Sequence, residues 1–516
     1  MSKFNTLGEM LEKMALRYPH RVALIFGRKK ITYQQLLITS EKLAHSLYNV
    51  GIRKGDKISL WLPNCPEFVY SFFAVSRIGA IVCPINSMFK REETKFIVQD
   101  SQTKILITSI DKLEQAENIL SRVDNLKYII SIKSPPRKDA ILDFYTFIDK
   151  VSPLKKRIPL MGEEPAEIIY TSGTTGKPKG AILTHKNLLI NISDCSSAIK
   201  VSKRDCFICI LPLFHSFAST VCMLLPLYCG ARIVIMRTVR PFKRVIRTIF
   251  KNRVTIFVAV PSVFNILSET KVSKLKLLIA LFLNPIRVCI SGAAALPLNV
   301  WQKFEKKFRR PLLQGYGLTE AAPVVSLNPL RGRRIPESVG MSLPSVKVKV
   351  VDEQGRSLPG GQIGELLVKG DNVMKGYFKM DEETKKTLKD GWLYTGDLAK
   401  IDEENFIYIM GRLKEMINVR GFNVYPKEIE DILYRHPKVK EAAVSGMSHR
   451  HRGEVPVAFI VRDSEVNERE INSYLKANLA SYKVPLKIIF KDVLPKNSTG
   501  KVLKRELIKE IEEKFR

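Results

Sequence analysis

The residues best equipped for chemistry lie together in the stretch YTSGTTGKPKGA, Tyr170 to Ala181. After Tyr170, eleven residues hold three Gly, three Thr, one Ser and two Lys. Gly lets backbone N–H groups approach a bound anion closely, hydroxyls add donors, and ammonium groups offset charge, so this composition reads as a cradle for phosphates. It is not the loop of the nucleoside triphosphatases, which needs GxxxxGK followed by Ser or Thr. Here Pro178 stands five residues after Gly173, and Pro also follows Lys177. Three further groups invite attention: Glu320 in QGYGLTE (314–320), Asp397 in GWLYTGDLAKID (391–402) and Lys501 in LPKNSTGKVLKREL (494–507). A glutamate suits a hard cation, an aspartate can accept from two hydroxyls, and a lysine offsets negative charge. Taken singly, each also has a plain reading: a surface carboxylate, a turn-forming Asp, a Lys in a Lys-rich tail.

The elements that must position these groups follow from periodicity. TLGEMLEKMALRY repeats apolar residues at helical spacing, KISLWLP reads as a strand, and EFVYSFFAVSRIGAIVCPIN as helix then strand. Such alternation continues to about residue 340 and predicts α/β sheets flanked by helices. A Pro- and Lys-rich stretch, KSPPRKDA at 133–140, reads as a loop. From Ser342 to about Met410 short strands alternate with Gly-rich turns, predicting a small β-barrel-like subdomain. Beyond GRLKEMI, the segments PKEIEDILYRHPKV, EAAVSGM and VPVAFIV predict helix, strand, strand in a small α+β module. The expected organisation is a large N-terminal unit, 1–413, with two α/β sheets and the β subdomain. A mobile C-terminal unit, 414–516, follows, hinged at 414.

Composition bounds the function. At 516 residues with 45% apolar content, the chain supports more than one folded unit. The eight Cys sit mostly within apolar runs and read as reduced core residues of a cytoplasmic protein. Cys206 and Cys209 form a CxxC, but three-residue spacing on a strand places them on opposite faces, against a shared metal or disulfide. No apolar leader is apparent at the start, and LLIALFL at 277–283 is too short to span a bilayer. The net charge of +33 should attract anionic partners, with a plainly solvated basic surface as the alternative. Basic residues are dispersed, with local clusters such as RPFKRVIRTIFKNR (240–253), and no recognition module accompanies them. A direct nucleic-acid function is therefore disfavoured.

Six blocks in order carry a family resemblance over essentially the whole chain: YTSGTTGKPKG (170–180), LPLFHSF (211–217), QGYGLTE, GWLYTGDLAKID, GRLKEMINVRGFNVYPKEIE (411–430) and LPKNSTGKVLKREL. The sequence closely resembles the adenylate-forming enzymes, which comprise acyl-CoA synthetases, peptide-synthetase adenylation domains and luciferases. The resemblance implies ATP-dependent activation of a carboxylate to an acyl-adenylate, then attack by a thiol, with ATP, Mg²⁺ and coenzyme A as cofactors. It gives Thr171, Ser172, Gly173, Thr174, Thr175 and Lys179 the β- and γ-phosphates. It sets the Tyr316 ring against adenine, beside Gly292 and Ala293 of SGAAALP and Gln314 to Gly317, with Gly315 leaving room near the acyl carbonyl. Thr319 would meet the α-phosphate, Glu320 would hold Mg²⁺ with Thr174, Asp397 would hold the ribose hydroxyls, and Arg412 would add ribose or phosphate contacts.

The resemblance has Lys501, after Gly500, reach from the C-terminal unit to the carboxylate and α-phosphate. Lys414 would be the hinge. Arg420 and Gly421 would line the route of the thiol. Asn418 departs from the family, many of whose members carry a Lys there. His215 would sit near the acyl pocket and gate the carboxylate, or be a satisfied core histidine; His185 reads as structural. The apolar stretches 214–230 and 254–267 suit an alkyl chain or plain core, and the overall texture is closest to bacterial long- or medium-chain fatty-acyl-CoA synthetases. Three alternatives stay open. An acyl carrier protein is a second candidate acceptor, although no insertion precedes the hinge. Lys271, Lys274 and Lys276, ahead of the 277–283 run, offer peripheral contact with an anionic membrane at its inner face. A homodimer is the expected oligomer if one forms. A non-catalytic basic protein is the remote reading, opposed by the joint presence of Thr174, Glu320, Asp397 and Lys501.

Overall fold

The computed structural model describes residues 4–133, 140–156, 158–171, 178–270, 285–419, 422–449, 453–496 and 500–515. Among these, four sheets form the frame. The largest has nine strands and is built on parallel neighbours at its centre: Leu312–Gly317, Val288–Ser291, Ile256–Ala259, Cys206–Cys209, Arg232–Ile235 and Val22–Phe26. The three innermost, Val288–Ser291, Ile256–Ala259 and Cys206–Cys209, are buried along their whole length, as sheets covered on both faces require. The second sheet has eight strands, among them Lys179–Thr184, Pro165–Thr171, Ile81–Pro84, Lys57–Trp61 and Thr103–Ser109.

Helix Pro66–Arg77 shows how the layers meet. Eleven of its side chains, Pro66 to Ser76, are buried, so PEFVYSFFAVS is enclosed on all sides rather than amphipathic. One contiguous core joins residues of both large sheets through this helix and its partners, Leu7–Arg17 and Tyr33–Asn49. Helix Phe242–Asn252, within the basic cluster, buries Val245 and Ile249 and exposes Lys243, Arg244, Arg247 and Lys251. None of the eight cysteines is in a disulfide, and Cys206 and Cys209 lie within the same buried strand. Among the described residues no helix is long and apolar enough to cross a membrane; the 277–283 run and its lysines lie outside them.

The predicted β subdomain is present as five antiparallel strands, Lys347–Val351, Gly364–Lys369, Leu388–Lys389, Trp392–Ile401 and Ile407–Arg412. One expectation is corrected: residues 342–410 are not a single β unit. Gly376–Tyr377 leaves it to pair antiparallel with Ala181 and Ile182 on the edge of the eight-stranded sheet. Helix Asp381–Thr387 follows directly. The open edge of Lys179–Thr184 offers unpaired backbone groups, and a passing extended segment satisfies them.

The C-terminal module has its own sheet, with Val439–His449, Gly453–Arg462 and Lys487–Lys491, and its own cores on the two faces. Its helix Pro426–Arg435 packs on helix Leu298–Phe308 of the large unit. Asn299 Nδ2 donates to the Tyr434 carbonyl at 3.3 Å. Lys427 Nζ donates to the Ile409 carbonyl at 3.0 Å, and Arg435 pairs with Glu337 at 2.9 Å.

Candidate active site

A cavity of about 350 Å³ opens between the large unit and the C-terminal module. Ala293 to Pro297, Gln314 to Gly317, Asp397 and Arg412 line one wall; Gly500, Lys501 and Lys504 line the other. The strand ends explain the first wall. Asp397 and Arg412 are cross-strand partners on Trp392–Ile401 and Ile407–Arg412, which sets the carboxylate beside the guanidinium. Asp397 Oδ1 lies 3.1 Å from Arg412 Nε, and Asp397 Oδ2 accepts from the Tyr316 hydroxyl. Asp397 is 5% exposed. Its charge raises the Arg412 guanidinium pKa, and burial with the same charge raises the Tyr316 phenol. A carboxylate has about four acceptor positions, so a pair of ligand hydroxyls can share it.

Tyr316 is therefore held at its tip while its ring borders the cavity. Gln314 is buried, and its Oε1 has no hydrogen-bond partner among the described residues, an acceptor suited to an amine on a ligand. Ala293 adopts φ +67°, a left-handed conformation that non-glycine residues hold only where surroundings over-determine it. Gly292 is filled from elsewhere: a Cβ there would lie 2.7 Å from the Phe217 ring. Gly315 has a structural reason beside the expected one. A Cβ there would meet the Ser326 carbonyl at 3.0 Å, so close strand packing also favours glycine. Gly317 is more constrained still, with the Pro323 carbonyl 2.1 Å from a Cβ.

Lys501 follows Gly500, whose φ of +80° turns the chain toward Ser262 of the large unit. Loss of bulk water lowers the Lys501 ammonium pKa, the Arg412 charge lowers it further, and the Glu415 and Asp397 carboxylates oppose both. Lys504, which opens helix Lys504–Phe515, pairs with Glu415 at 3.2 Å and Glu430 at 2.8 Å. Lys414 lies in the short turn Leu413–Glu415 just before them. The Asn418 N–H donates to Glu454 Oε2 at 2.8 Å on the hairpin that leads to Arg420 and Gly421, which lie outside the described residues.

At the other end, Thr171 closes its strand opposite Lys179, where the Thr171 hydroxyl reaches the Lys179 carbonyl at 3.4 Å. Ser172, Gly173, Thr174 and Thr175 lie outside the described residues. Thr319 Oγ1 is 3.2 Å from Ser216 Oγ. Glu320 Oε1 accepts from the Tyr377 hydroxyl at 2.9 Å. Lys179 is paired with Glu383 and sits over the Tyr377 ring. Sequence reasoning missed Tyr377 and Glu383. They reach the site only because Gly376–Tyr377 pairs with the strand behind the phosphate loop, and no local pattern signals that partner.

His215 caps the turn Ser216–Ala218, Nδ1 accepting from the Phe217 N–H at 3.2 Å, and burial lowers its pKa to about 4. It is a neutral acceptor holding a short helix. A π-helical turn, Ser219–Leu224, comes next, a geometry often found beside functional sites. The residues expected to receive an alkyl chain, Val221 to Leu225 and Ile256 to Ala259, are almost fully buried among core side chains. His185 is buried, its Nδ1 accepting from the Leu7 N–H at 3.4 Å.

Asp397, Arg412 and Tyr316 thus face Lys501 across one cavity. Comparisons with known proteins give the class of the chain. The AMP-binding enzyme profile matches residues 11–378, and the AMP-binding enzyme C-terminal domain matches residues 428–501. A long-chain-fatty-acid–CoA ligase of Bacillus subtilis is 34% identical, covering 98% of this chain and 94% of the relative. A 4-coumarate–CoA ligase of Humulus lupulus is 35% identical over 95% of this chain and 91% of its own. Among solved structures, ATP-bound MatB from Rhodopseudomonas palustris superposes with a TM-score of 0.91 at 30% identity, covering 99% of this chain and 100% of that one. The chain belongs to the AMP-binding enzyme family. It is an adenylate-forming acid–thiol ligase that uses ATP and coenzyme A.

Proposed function

We infer that the acid is a fatty acid and that the chain makes fatty-acyl-CoA. In the first step a carboxylate oxygen attacks the α-phosphorus of ATP, the bond from that phosphorus to the bridging oxygen breaks, and pyrophosphate leaves. In the second, the thiol sulfur of coenzyme A attacks the acyl carbon, AMP departs with its oxygen, and the thiol proton is released. The observation that carries the reading is the convergence of Lys501, Asp397, Arg412 and Tyr316 on one cavity. Lys501 neutralises charge that develops as the adenylate forms. Asp397 and Arg412 orient the ribose, and Tyr316 with Gly292 and Ala293 flanks the base. Thr171, the 172–175 residues and Lys179 receive the phosphates.

Glu320 fits a Mg²⁺ ligand: one Tyr377 hydrogen bond leaves most of its acceptor capacity, and hard carboxylate oxygens suit that ion. When bound, Mg²⁺ neutralises phosphate charge. Domain alternation completes the scheme. The boundary at 413/414 lets the C-terminal unit turn about Lys414, withdrawing Lys501 and bringing Arg420 and Gly421 to the thiol's path. The fatty-acid choice draws on the Bacillus subtilis relative. Pyrophosphate release measured across carboxylates from acetate to oleate, with and without coenzyme A, tests it. Turnover sustained only with coenzyme A and highest on long chains supports the reading. A maximum on an aromatic acid overturns the substrate, and adenylate that coenzyme A cannot discharge overturns the acceptor.

A further inference from the structure

A carboxylate already holds the cation at the mouth of the phosphate-loop hairpin. Lys179 opens its strand directly across from Thr171, so it stands where the 172–178 connection returns to the sheet. Its ammonium is paired with Glu383 and lies 5.4 Å from the centre of the Tyr377 ring. Only 12% of the Lys179 side chain is exposed. An ammonium so enclosed needs an anion beside it. Within the adenylating reading, two anions therefore want this one cation: Glu383 and the terminal phosphates of ATP. Glu383 has somewhere to go. Lys386, one turn along the same helix, is 3.6 Å from its other carboxylate oxygen. The carboxylate therefore stays paired when Lys179 turns away, and the Tyr377 ring stays under the ammonium.

We propose that Glu383 is a built-in counter-anion that competes with ATP phosphates and pyrophosphate for Lys179, ceding the ammonium when they bind and reclaiming it as pyrophosphate leaves. No covalent bond changes; one ion pair replaces another. The gain lies in product release. A lysine left bare in a nearly enclosed site would hold pyrophosphate tightly, whereas a competing carboxylate offsets the affinity by an exchange of similar energy.

The inference rests on the adenylating reading, and equilibrium binding separates the two. Titration calorimetry of the full chain with pyrophosphate, and with ATP in the absence of any acid, gives the affinities directly. Glu383→Gln should bind both about 3- to 10-fold more tightly, as expected for loss of one competing ion pair, and should lower kcat through slower pyrophosphate release. In a Lys179→Met background the same substitution should leave affinity unchanged. Unchanged or weaker binding by Glu383→Gln, or equal tightening without Lys179, overturns the proposal. Should Glu383→Gln lose its thermal transition, Glu383→Asp, one methylene shorter, gives the same readout: tighter pyrophosphate binding supports the exchange, and wild-type affinity overturns it. A wild-type chain that binds neither ATP nor pyrophosphate defeats the adenylating reading itself.

Discussion

The nucleoside end and the phosphate end of the site are assembled by different means. At the nucleoside end, Asp397, Arg412 and Tyr316 are fixed by neighbouring strands and already bonded to one another. Ligand hydroxyls join a network whose charges are paired. At the phosphate end, Lys179 is held by Glu383, 204 positions away, and Glu320 by Tyr377, 57 positions away. There the proposed exchange takes Lys179 from its partner, while Glu320 keeps acceptor capacity beside its Tyr377 hydrogen bond. The lysine between the ends, Lys501, belongs to neither and is lent by the C-terminal module. Rigid orientation of the nucleoside and exchangeable charge on the departing pyrophosphate suit a reaction whose first product must leave before the second step begins.

That contrast can be broken in graded ways. The largest effect should come from Lys501→Ala. Adenylation, read as pyrophosphate release, should fall by about 100-fold or more, the scale of a lost charge-stabilising group. Thioester formation from supplied acyl-AMP should stay near wild type, and equal loss in both steps would remove the proposed role. Next, Asp397→Asn should raise the KM for ATP by about 10- to 100-fold, since hydrogen bonds to a charged acceptor contribute about 1.5–3 kcal/mol. A change in kcat alone would show that the carboxylate does not hold the ribose.

A smaller effect concerns stability on the strand that leads into the phosphate loop. Glu167 is fully buried there, neither carboxylate oxygen has a partner among the described residues, and burial raises its pKa to about 8. The folded state thus binds this proton more tightly than the unfolded chain. Its contribution is complete below about pH 4.5, near the unfolded glutamate value, and is lost as pH rises through about 8. Denaturant midpoints at pH 5 and pH 8.5 should differ less in Glu167→Gln than in the wild type; an equal difference would show that Glu167 ionises freely. The smallest effect belongs to the interface. Arg435 and Glu337 are each half exposed, so Glu337→Gln should change stability by no more than about 1 kcal/mol. It should alter the balance of the two half-reactions by at most a few-fold, as burst and steady-state rates would reveal.

Much of this site was legible beforehand because its groups sit in local blocks. Tyr316, Glu320, Asp397 and Lys501 each lie in a short run whose neighbours already constrain it, and Gly500 before Lys501 takes a left-handed turn. Other features could not be read from short stretches, for one recurring reason. The glycine at 315 also faces a neighbouring strand's carbonyl, the 342–410 segment sends one strand to another sheet, and of the two readings of 214–230 the packing shows core. Each depends on which distant segment lies alongside.

The sequence by itself determined the alternation of elements, the helix buried on every side, the loop suited to phosphates and the family chemistry. These depend on residue type at short range, where periodicity, turn geometry and donor inventory act. Only the tertiary structure decided that Gly376–Tyr377 would complete the sheet edge beside Lys179, placing Tyr377 on Glu320 and Glu383 on the lysine. That outcome rests on a long-range strand pairing and on one enclosed ammonium's need for an anion, and neither is written in any short stretch of the chain.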